Sequence, residues 1–443
     1  MLRVIIVGGG LGGLTCAIAC RQHGLDVVLL ERAPQFAAIG AGIQVPPNAS
    51  RVMKHLGLLE VLAEKAVLLD HLDLLRYQDG SLLLRRPVDE KRMVEMYGAP
   101  WIVVHREDYH SILLNEATLS GVQVTLGASV KEVNFDRTEV VLENGLVISG
   151  EVIIGADGLW STTRNQILGH PSPPTETGDL AYRATFAKEQ LQNLKDPRID
   201  ELCKKLAATI WLGPDSHCVF YPVRGGSVFN LVLLRPDDLP AGVSKAAGDL
   251  AEMREALVKW DEILTKIVSC IPSVLKWKLC HHDELETWSK GSIAILGDAS
   301  HPTLPYQAQG AAMAVEDGAV VGRLLGRLGT ELPAKSWQSE IPSVLQLYET
   351  LRKKRTTLNV QGAVANRIMY HLPDGPEQRK RDADFKNVDW IHPSPWKYAD
   401  PAYQAELLGW DVLDSCNQEF DLWKKERALN GASLGTARDL QGK

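Results

Sequence analysis

The 443 residues are too many for one ordinary domain and enough to bury two cores or one large composite core. Apolar residues at 45% and charged residues at 23% set aside a disordered or fibrous chain. A formal net charge of -7 gives no electrostatic reason for a nucleic-acid or anionic-membrane partner, so small molecules are the expected partners.

The chain opens as strand, glycine turn, helix and strand: Leu2 to Val7, Gly8 to Gly13, Leu14 to His23 ended by Gly24, and Asp26 to Leu30. That is a βαβ unit. A helical stretch is expected around Asn48 to Lys65, and Leu72 to Arg86 alternates like a hairpin. After Trp101 to Arg106 and a helix over Glu107 to Ser120, short strands are predicted at Val122 to Leu126, Val130 to Phe135, Glu139 to Leu142 and Glu151 to Gly155. Longer strands follow at Tyr182 to Phe186, Ala208 to Leu212, Cys218 to Tyr221 and Val228 to Leu234, then helices to about Cys270.

The strand pattern of the first lobe resumes at Ser292 to Gly297, with helices at Ala311 to Leu325 and about Val344 to Ile368. The nucleotide lobe is therefore discontinuous. The fold class read from this order is α/β: a Rossmann-like nucleotide-binding domain over 1–75, 98–172 and 284–375, and a sheet-plus-helix substrate domain over 76–97 and 173–283. A C-terminal helical tail takes 376–443. The Lys/Arg run from Arg352 to Arg355 reads as a solvated helix face.

Seven cysteines (Cys16, Cys20, Cys203, Cys218, Cys270, Cys280, Cys416) lie without a CxxC pair or a His/Cys cluster, and read as reduced thiols rather than metal ligands. With an apolar strand opening the sequence, no cleaved leader is expected, and no apolar run approaches the ~20 residues of a membrane span. A cytoplasmic location is expected.

Gly8, Gly10 and Gly13 form a G-x-G-x-x-G turn between strand and helix. Missing β-carbons let the backbone approach a pyrophosphate, and the free amides of the helix start face its oxygens. Glu31 ends the second strand, where a carboxylate accepts from a ribose diol. The blander reading is a glycine-rich turn beside a solvated glutamate. By itself the turn does not separate FAD from NAD.

Two further segments make that separation, EVIIGADGLWSTTR at 151–164 and GSIAILGDASHPTLPYQAQGAAMAVEDGA at 291–319. With the glycine turn they resemble the three fingerprints of the class A flavoprotein monooxygenases of the para-hydroxybenzoate hydroxylase type. GAGIQVPPNA, YRATF, FYPVRGG and LPYQAQGAAMAVEDGA are most similar to the fungal salicylate hydroxylase-like enzymes of that family. The resemblance spans residue 1 to about residue 365 and leaves the tail aside.

Carried over by position, it implies that Glu31 holds the adenosine ribose with Arg32 beside the adenine, that Ala41 and Gly42 lie along the flavin, and that Arg106 reaches the phosphate-ribitol region. Asp157 falls in the motif tied to FAD and NAD(P)H, Asp298 meets the ribitol, and the backbone of Ala311 and Ala312 meets the flavin's pyrimidine edge. His301 reads as a structural hydrogen-bonding residue.

Arg183 and Tyr221, in the strands that carry YRATF and FYPVRGG, are the expected substrate-facing catalytic pair. Taken alone, Arg183 would be a solvated strand residue and Tyr221 ordinary core. The family implies non-covalent FAD, NADPH or NADH as co-substrate, and O2 added to the reduced flavin as a C4a-hydroperoxide that hydroxylates a small aromatic substrate. The competing readings are a non-aromatic flavin oxidoreductase of the same fold, such as an epoxidase or isoprenoid reductase, and a nucleotide-binding carrier without turnover.

Overall fold

The computed structural model describes residues 1–36 and 41–439. Gly40, which opens the GAGIQVPPNA segment, and the tail residues 440–443 lie outside it. The glycine turn sits at the mouth of a six-stranded sheet ordered Ser289–Lys290, Ile293–Ile295, Val152–Gly155, Arg3–Val7, Asp26–Leu30, Gln123–Thr125. All neighbours are parallel except the Ser289–Lys290 edge. Its central strands are near-continuous apolar runs because they are buried on both faces, and Val133, Val140 and Leu142 of a three-stranded antiparallel sheet (Val130–Asn134, Glu139–Leu142, Val147–Ser149) join the same core.

On one face the helix Leu11–Gln22 lies against the helix Gly310–Glu331. Small residues set this approach. A β-carbon on Gly318 would stand 2.4 Å from the Gly12 carbonyl oxygen, and one on Gly322 would stand 2.4 Å from Ala19 Cβ. Four-residue spacing therefore forms a groove that receives the first helix. The first helix starts three residues earlier than its apolar pattern suggests, inside the glycine turn itself.

The expected helical stretch around Asn48 to Lys65 is two helices, Pro47–His55 and Leu59–Ala63. Gly57, at φ +76, separates them with a left-handed turn that a continuous helix does not contain.

The second lobe is an eight-stranded sheet ordered Lys245–Ala247, Leu275–His281, Thr175–Ala187, Val228–Pro236, Ser216–Val223, Ala207–Gly213, His71–Arg76, Leu82–Pro87. It is antiparallel except where His71–Arg76 runs parallel to Ala207–Gly213. That hairpin joins the second sheet along its full length, so a boundary between residues 75 and 76 falls inside a strand.

The tail is part of the core. Its helices Pro376–Lys386, Pro401–Gly409 and Val412–Asp439 bring Phe385, Leu407 and Phe420 into three separate apolar clusters. Among the described residues, no helix is long and apolar enough to cross a membrane, and all seven cysteines are free thiols.

Candidate active site

A cleft of about 340 Å³ runs between the two sheets. Its lower wall is the glycine turn. Gly8 takes φ +110, and a β-carbon there would lie 2.3 Å from the Ala156 carbonyl oxygen; one on Gly13 would lie 2.1 Å from the Gly8 oxygen. Gly10 differs, because a β-carbon on it would meet nothing within 4 Å and would project into open space. Gly8 and Gly13 therefore serve the turn, and Gly10 leaves room for a ligand. Glu31 accepts from the amides of Gly9 and Ala33, each at 2.9 Å, and Arg32 beside it is exposed.

Asp157 behaves otherwise than a free ligand group. Its carboxylate accepts from Ser161 Oγ at 2.6 Å and from the amide and hydroxyl of Thr163 at 3.0 Å, which fastens the start of the helix Thr162–Leu168. Its neighbours Ala156 and Gly158 line the cleft. Asp157 shapes the loop whose backbone borders that cleft.

At the other end of the cleft, Asp298 follows the strand Ile293–Ile295 and faces the open space without a hydrogen bond to another described residue. Surrounding protein pushes its carboxyl above the usual range, against the pull of His301 and Arg106. The helix Gly310–Glu331 begins beside it with no side-chain cap, so its first amides are available. Gly310 and Ala311 border the cleft, while the Ala312 side chain is turned into the first core. Arg106 lines the cleft, and its amide donates to the Ala41 carbonyl at 2.9 Å.

The upper wall is one face of the second sheet. Register places Arg183 opposite Val232 and Val232 opposite Val219, with Tyr221 directly across from Asn230. Period-two alternation then turns Arg183, Val219, Tyr221, Val232 and Leu234 to the same side, and all five line the cleft. Arg183 Nε is buried without a hydrogen-bond partner, and its guanidinium carbon lies 5.9 Å from the Trp277 ring centroid.

Burial raises the Tyr221 hydroxyl pKa, which Arg183 opposes. Gly42 is held by this wall. Its amide donates to Asn230 Oδ1 at 2.7 Å, and a β-carbon on it would stand 2.5 Å from the Tyr221 ring.

A family model described as FAD binding domain matches residues 1–362, through both sheets and all of these cleft residues. The chain belongs to this FAD-binding family. It is 39% identical over 421 residues to the FAD-dependent monooxygenase OpS4 of Beauveria bassiana (strain ARSEF 2860), across 93% of this chain and 96% of that protein. It is 34% identical over 409 residues to 3-hydroxybenzoate 6-hydroxylase 1 of Aquipseudomonas alcaligenes, across 88% of this chain and 97% of that one. Its fold is similar to the crystal structure of CtdE in complex with FAD and a substrate, with a TM-score of 0.79 at 23% identity over 97% of this chain and 100% of that one. The chain is an FAD-dependent monooxygenase.

The residues present suit that flavin. Gly10 leaves open space in which a pyrophosphate would fit, Glu31 keeps free lone pairs that a ribose would use, Asp298 has an unshared carboxylate that would suit a ribitol, and the uncapped helix start has amides that would suit an electron-rich ring edge.

Beneath the cleft lies a buried lattice of charges that the sequence reading missed. Arg352 donates to Asp317 Oδ1 and Glu316 Oε2, both at 2.6 Å, and Arg355 donates to Glu316 Oε1 at 2.9 Å. The run from Arg352 to Arg355 is therefore not a solvated face, since Arg352 and Arg355 turn inward to the carboxylates. Burial alone would raise Glu316 and Asp317, yet the facing arginines, with His301 beside Asp317, hold both down at about 2. His301 meets Asp317 at 2.5 Å, a structural role, and Asn48 joins Gln309 to Glu316 at 3.0 Å on each side. The lattice braces the loop that carries Asp298 and the residue that precedes the uncapped helix. Asn230 was also missed, because nothing local marks an asparagine in an apolar strand as a partner for a distant glycine amide.

Proposed function

We propose that the chain hydroxylates a small phenolic substrate held against Arg183 and Tyr221, with FAD, NADPH or NADH, and O2. The observation that carries this reading is Arg183. It is a cation on the cleft wall with a buried, unpartnered Nε and no ion pair with a carboxylate among the described residues. Such a group calls for an anion from the ligand.

Bound FAD, once reduced by the nicotinamide, supplies the activated oxygen. The chain's own residues ready the acceptor. Arg183 stabilises a phenolate, which moves electron density onto the ortho and para ring carbons. Tyr221 stays protonated, since burial raises its pKa, and donates to the same oxygen or a neighbouring carbonyl. Val219, Val232, Leu234 and Leu304 present an apolar wall that keeps water from the reacting atoms.

Free cysteines throughout fit a reducing, cytoplasmic setting. A screen of phenolic acids and phenolic ketones for stimulated NAD(P)H oxidation, with product mass and hydrogen peroxide measured together, tests the reading. A product heavier by one oxygen is expected. Nicotinamide oxidation that no phenol stimulates would defeat it.

A further inference from the structure

The hairpin of His71–Arg76 and Leu82–Pro87 turns its two adjacent arginines to opposite faces. Arg85 opposes Asp73 and binds it at 2.8 and 2.9 Å, while Arg86 opposes Leu72 and lines a small cavity of about 50 Å³ behind the cleft. Its guanidinium carbon lies 5.3 Å from the Trp101 centroid, 5.7 Å from that of Trp390 and 5.9 Å from that of Tyr398. Arg86 is only 5% exposed, and among the described residues it forms no ion pair with a carboxylate.

The surroundings do not balance this charge. The titratable groups that act on Arg86 are Tyr97, Tyr370 and Tyr398, and burial raises each phenol, so all three stay neutral. His217, also on the cavity wall, is kept neutral by burial and by His371 beside it. A guanidinium does not shed its proton to escape burial. Aromatic rings cover its faces and leave its edge donors unmatched, apart from one bond to Tyr97.

Two more polar atoms on the same cavity are unmatched. The Tyr398 hydroxyl is a buried donor with no partner, and Gln404 Oε1 is a buried acceptor with none. The Gln404 amide nitrogen donates to the Lys397 carbonyl at 3.0 Å, which fixes the oxygen as the atom left over.

We infer that this cavity is a site for a small monovalent anion of halide size, chloride in ordinary solution, held by the edge donors of Arg86 and by the Tyr398 hydroxyl. A spherical anion accepts from any direction, so it needs no in-plane fork of the kind a carboxylate uses. Gln404 Oε1 would repel it directly. One water between them donates to both and removes the conflict. Anion and water together suit a volume that takes a few waters' worth of atoms. Arg86 comes from the hairpin and Tyr398 and Gln404 from the tail, so the anion joins the two beside Gln44, Val219, Pro305 and Ala308, the wall shared with the cleft. It requires no passage from one cavity to the other.

The test uses the FAD-loaded enzyme at constant ionic strength, with sodium gluconate, too large for the cavity, replaced stepwise by sodium chloride. The melting temperature should rise saturably, by roughly three degrees once chloride reaches about a hundred times its half-saturating concentration. Sodium bromide should act alike, and crystals grown in it should show an anomalous peak beside Arg86 and Tyr398. Arg86→Met should lose both the saturable rise and the peak. Gln404→Glu places a carboxylate in the cavity as an internal counterion. In gluconate alone it should melt close to the chloride-saturated parent and respond no further to chloride.

A melting temperature that does not change as chloride replaces gluconate, or bromide crystals without a peak in this cavity, overturns the assignment. A chloride response that survives unchanged in Arg86→Met or in Gln404→Glu does the same. Should Arg86→Met fail to fold, Tyr398→Phe takes its place: a half-saturating chloride concentration raised about threefold to tenfold supports the site, and an unchanged one overturns it.

Discussion

The amide of Gly9 donates to Oε2 of Glu31 at 2.9 Å, so the residue expected to hold a ribose also ties the glycine turn to the end of the neighbouring strand. Its other oxygen takes the Ala33 amide, and each oxygen keeps a lone pair for the ligand. Glu31→Ala should therefore weaken FAD binding by about tenfold to a hundredfold, from charge-assisted bonds of roughly 1.5–3 kcal/mol each. Glu31→Gln should fall between, keeping one acceptor. The flavin-to-protein absorbance ratio after gel filtration gives the order, and equal occupancy in all three proteins would remove Glu31 from the ribose.

Asp298 presents its carboxylate to the open cleft, and no hydrogen bond to another described residue holds it there. Asp298→Ala should thus leave the folded apoprotein at least as stable as the parent while lowering flavin retention by about tenfold or more. Thermal melting of apoprotein and titration with FAD measure the two separately. A large fall in apoprotein melting temperature with unchanged FAD affinity would make Asp298 a structural residue.

Arg183→Ala and Tyr221→Phe should keep FAD and lose hydroxylation. Losing a charge-assisted contact at the phenolate costs about 2 to 4 kcal/mol of transition-state stabilisation, or roughly thirty-fold to a thousand-fold in rate. Remaining NAD(P)H consumption should appear as hydrogen peroxide. Normal product yield in both variants would move the substrate site elsewhere.

Acid stability divides into two windows. His217 and His371 meet at 2.8 Å inside the protein; burial lowers His217 well below its ordinary value and brings His371 down to about 4. The folded pair stays neutral while the unfolded chain gains protons below about pH 6.5, so stability should decline as pH falls from 6.5 toward 4. Replacing both by Leu should flatten that decline in a melting-temperature profile. Glu316 and Asp317, held at about 2, contribute stability that is full above their unfolded values near 4 and is lost on further acidification toward 2. The double variant should keep this second drop, and a variant profile parallel to the parent's throughout would remove the histidines from the first window.

Among the described residues, neither a cysteine nor a histidine lines the cleft. Acid precipitation should release all flavin to the supernatant. Yellow colour kept in the pellet would contradict non-covalent binding.

What the sequence made legible is what local pattern encodes. The βαβ opening with Gly8, Gly10, Gly13 and Glu31 is contiguous, and alternation alone sets Arg183 and Tyr221 on defined strand faces. Arg352 and Arg355 were misread because their carboxylates, Glu316 and Asp317, sit on another helix, and a charge run without visible partners looks solvated. Arg86, buried among Trp101, Trp390 and Tyr398, was hidden for the converse reason: beside Arg85, which pairs with Asp73, it resembles a second surface arginine, and only the hairpin register separates the two. The tail carried no motif, and its contribution depends on tertiary contacts that no local window contains.

Those contacts bear on how the molecule is made. The small cavity of about 50 Å³ behind the cleft takes Leu72 and Arg86 from early in the chain and Tyr398, Gln404 and Leu407 from near its end, and the first sheet receives Ile293–Ile295 only after the whole second lobe has been threaded out and back. Contacts of such long sequence separation form late and slowly. During synthesis the apolar faces of both sheets must therefore wait for partners still unmade, which makes the nascent chain, more than the finished enzyme, the species that needs protection from aggregation.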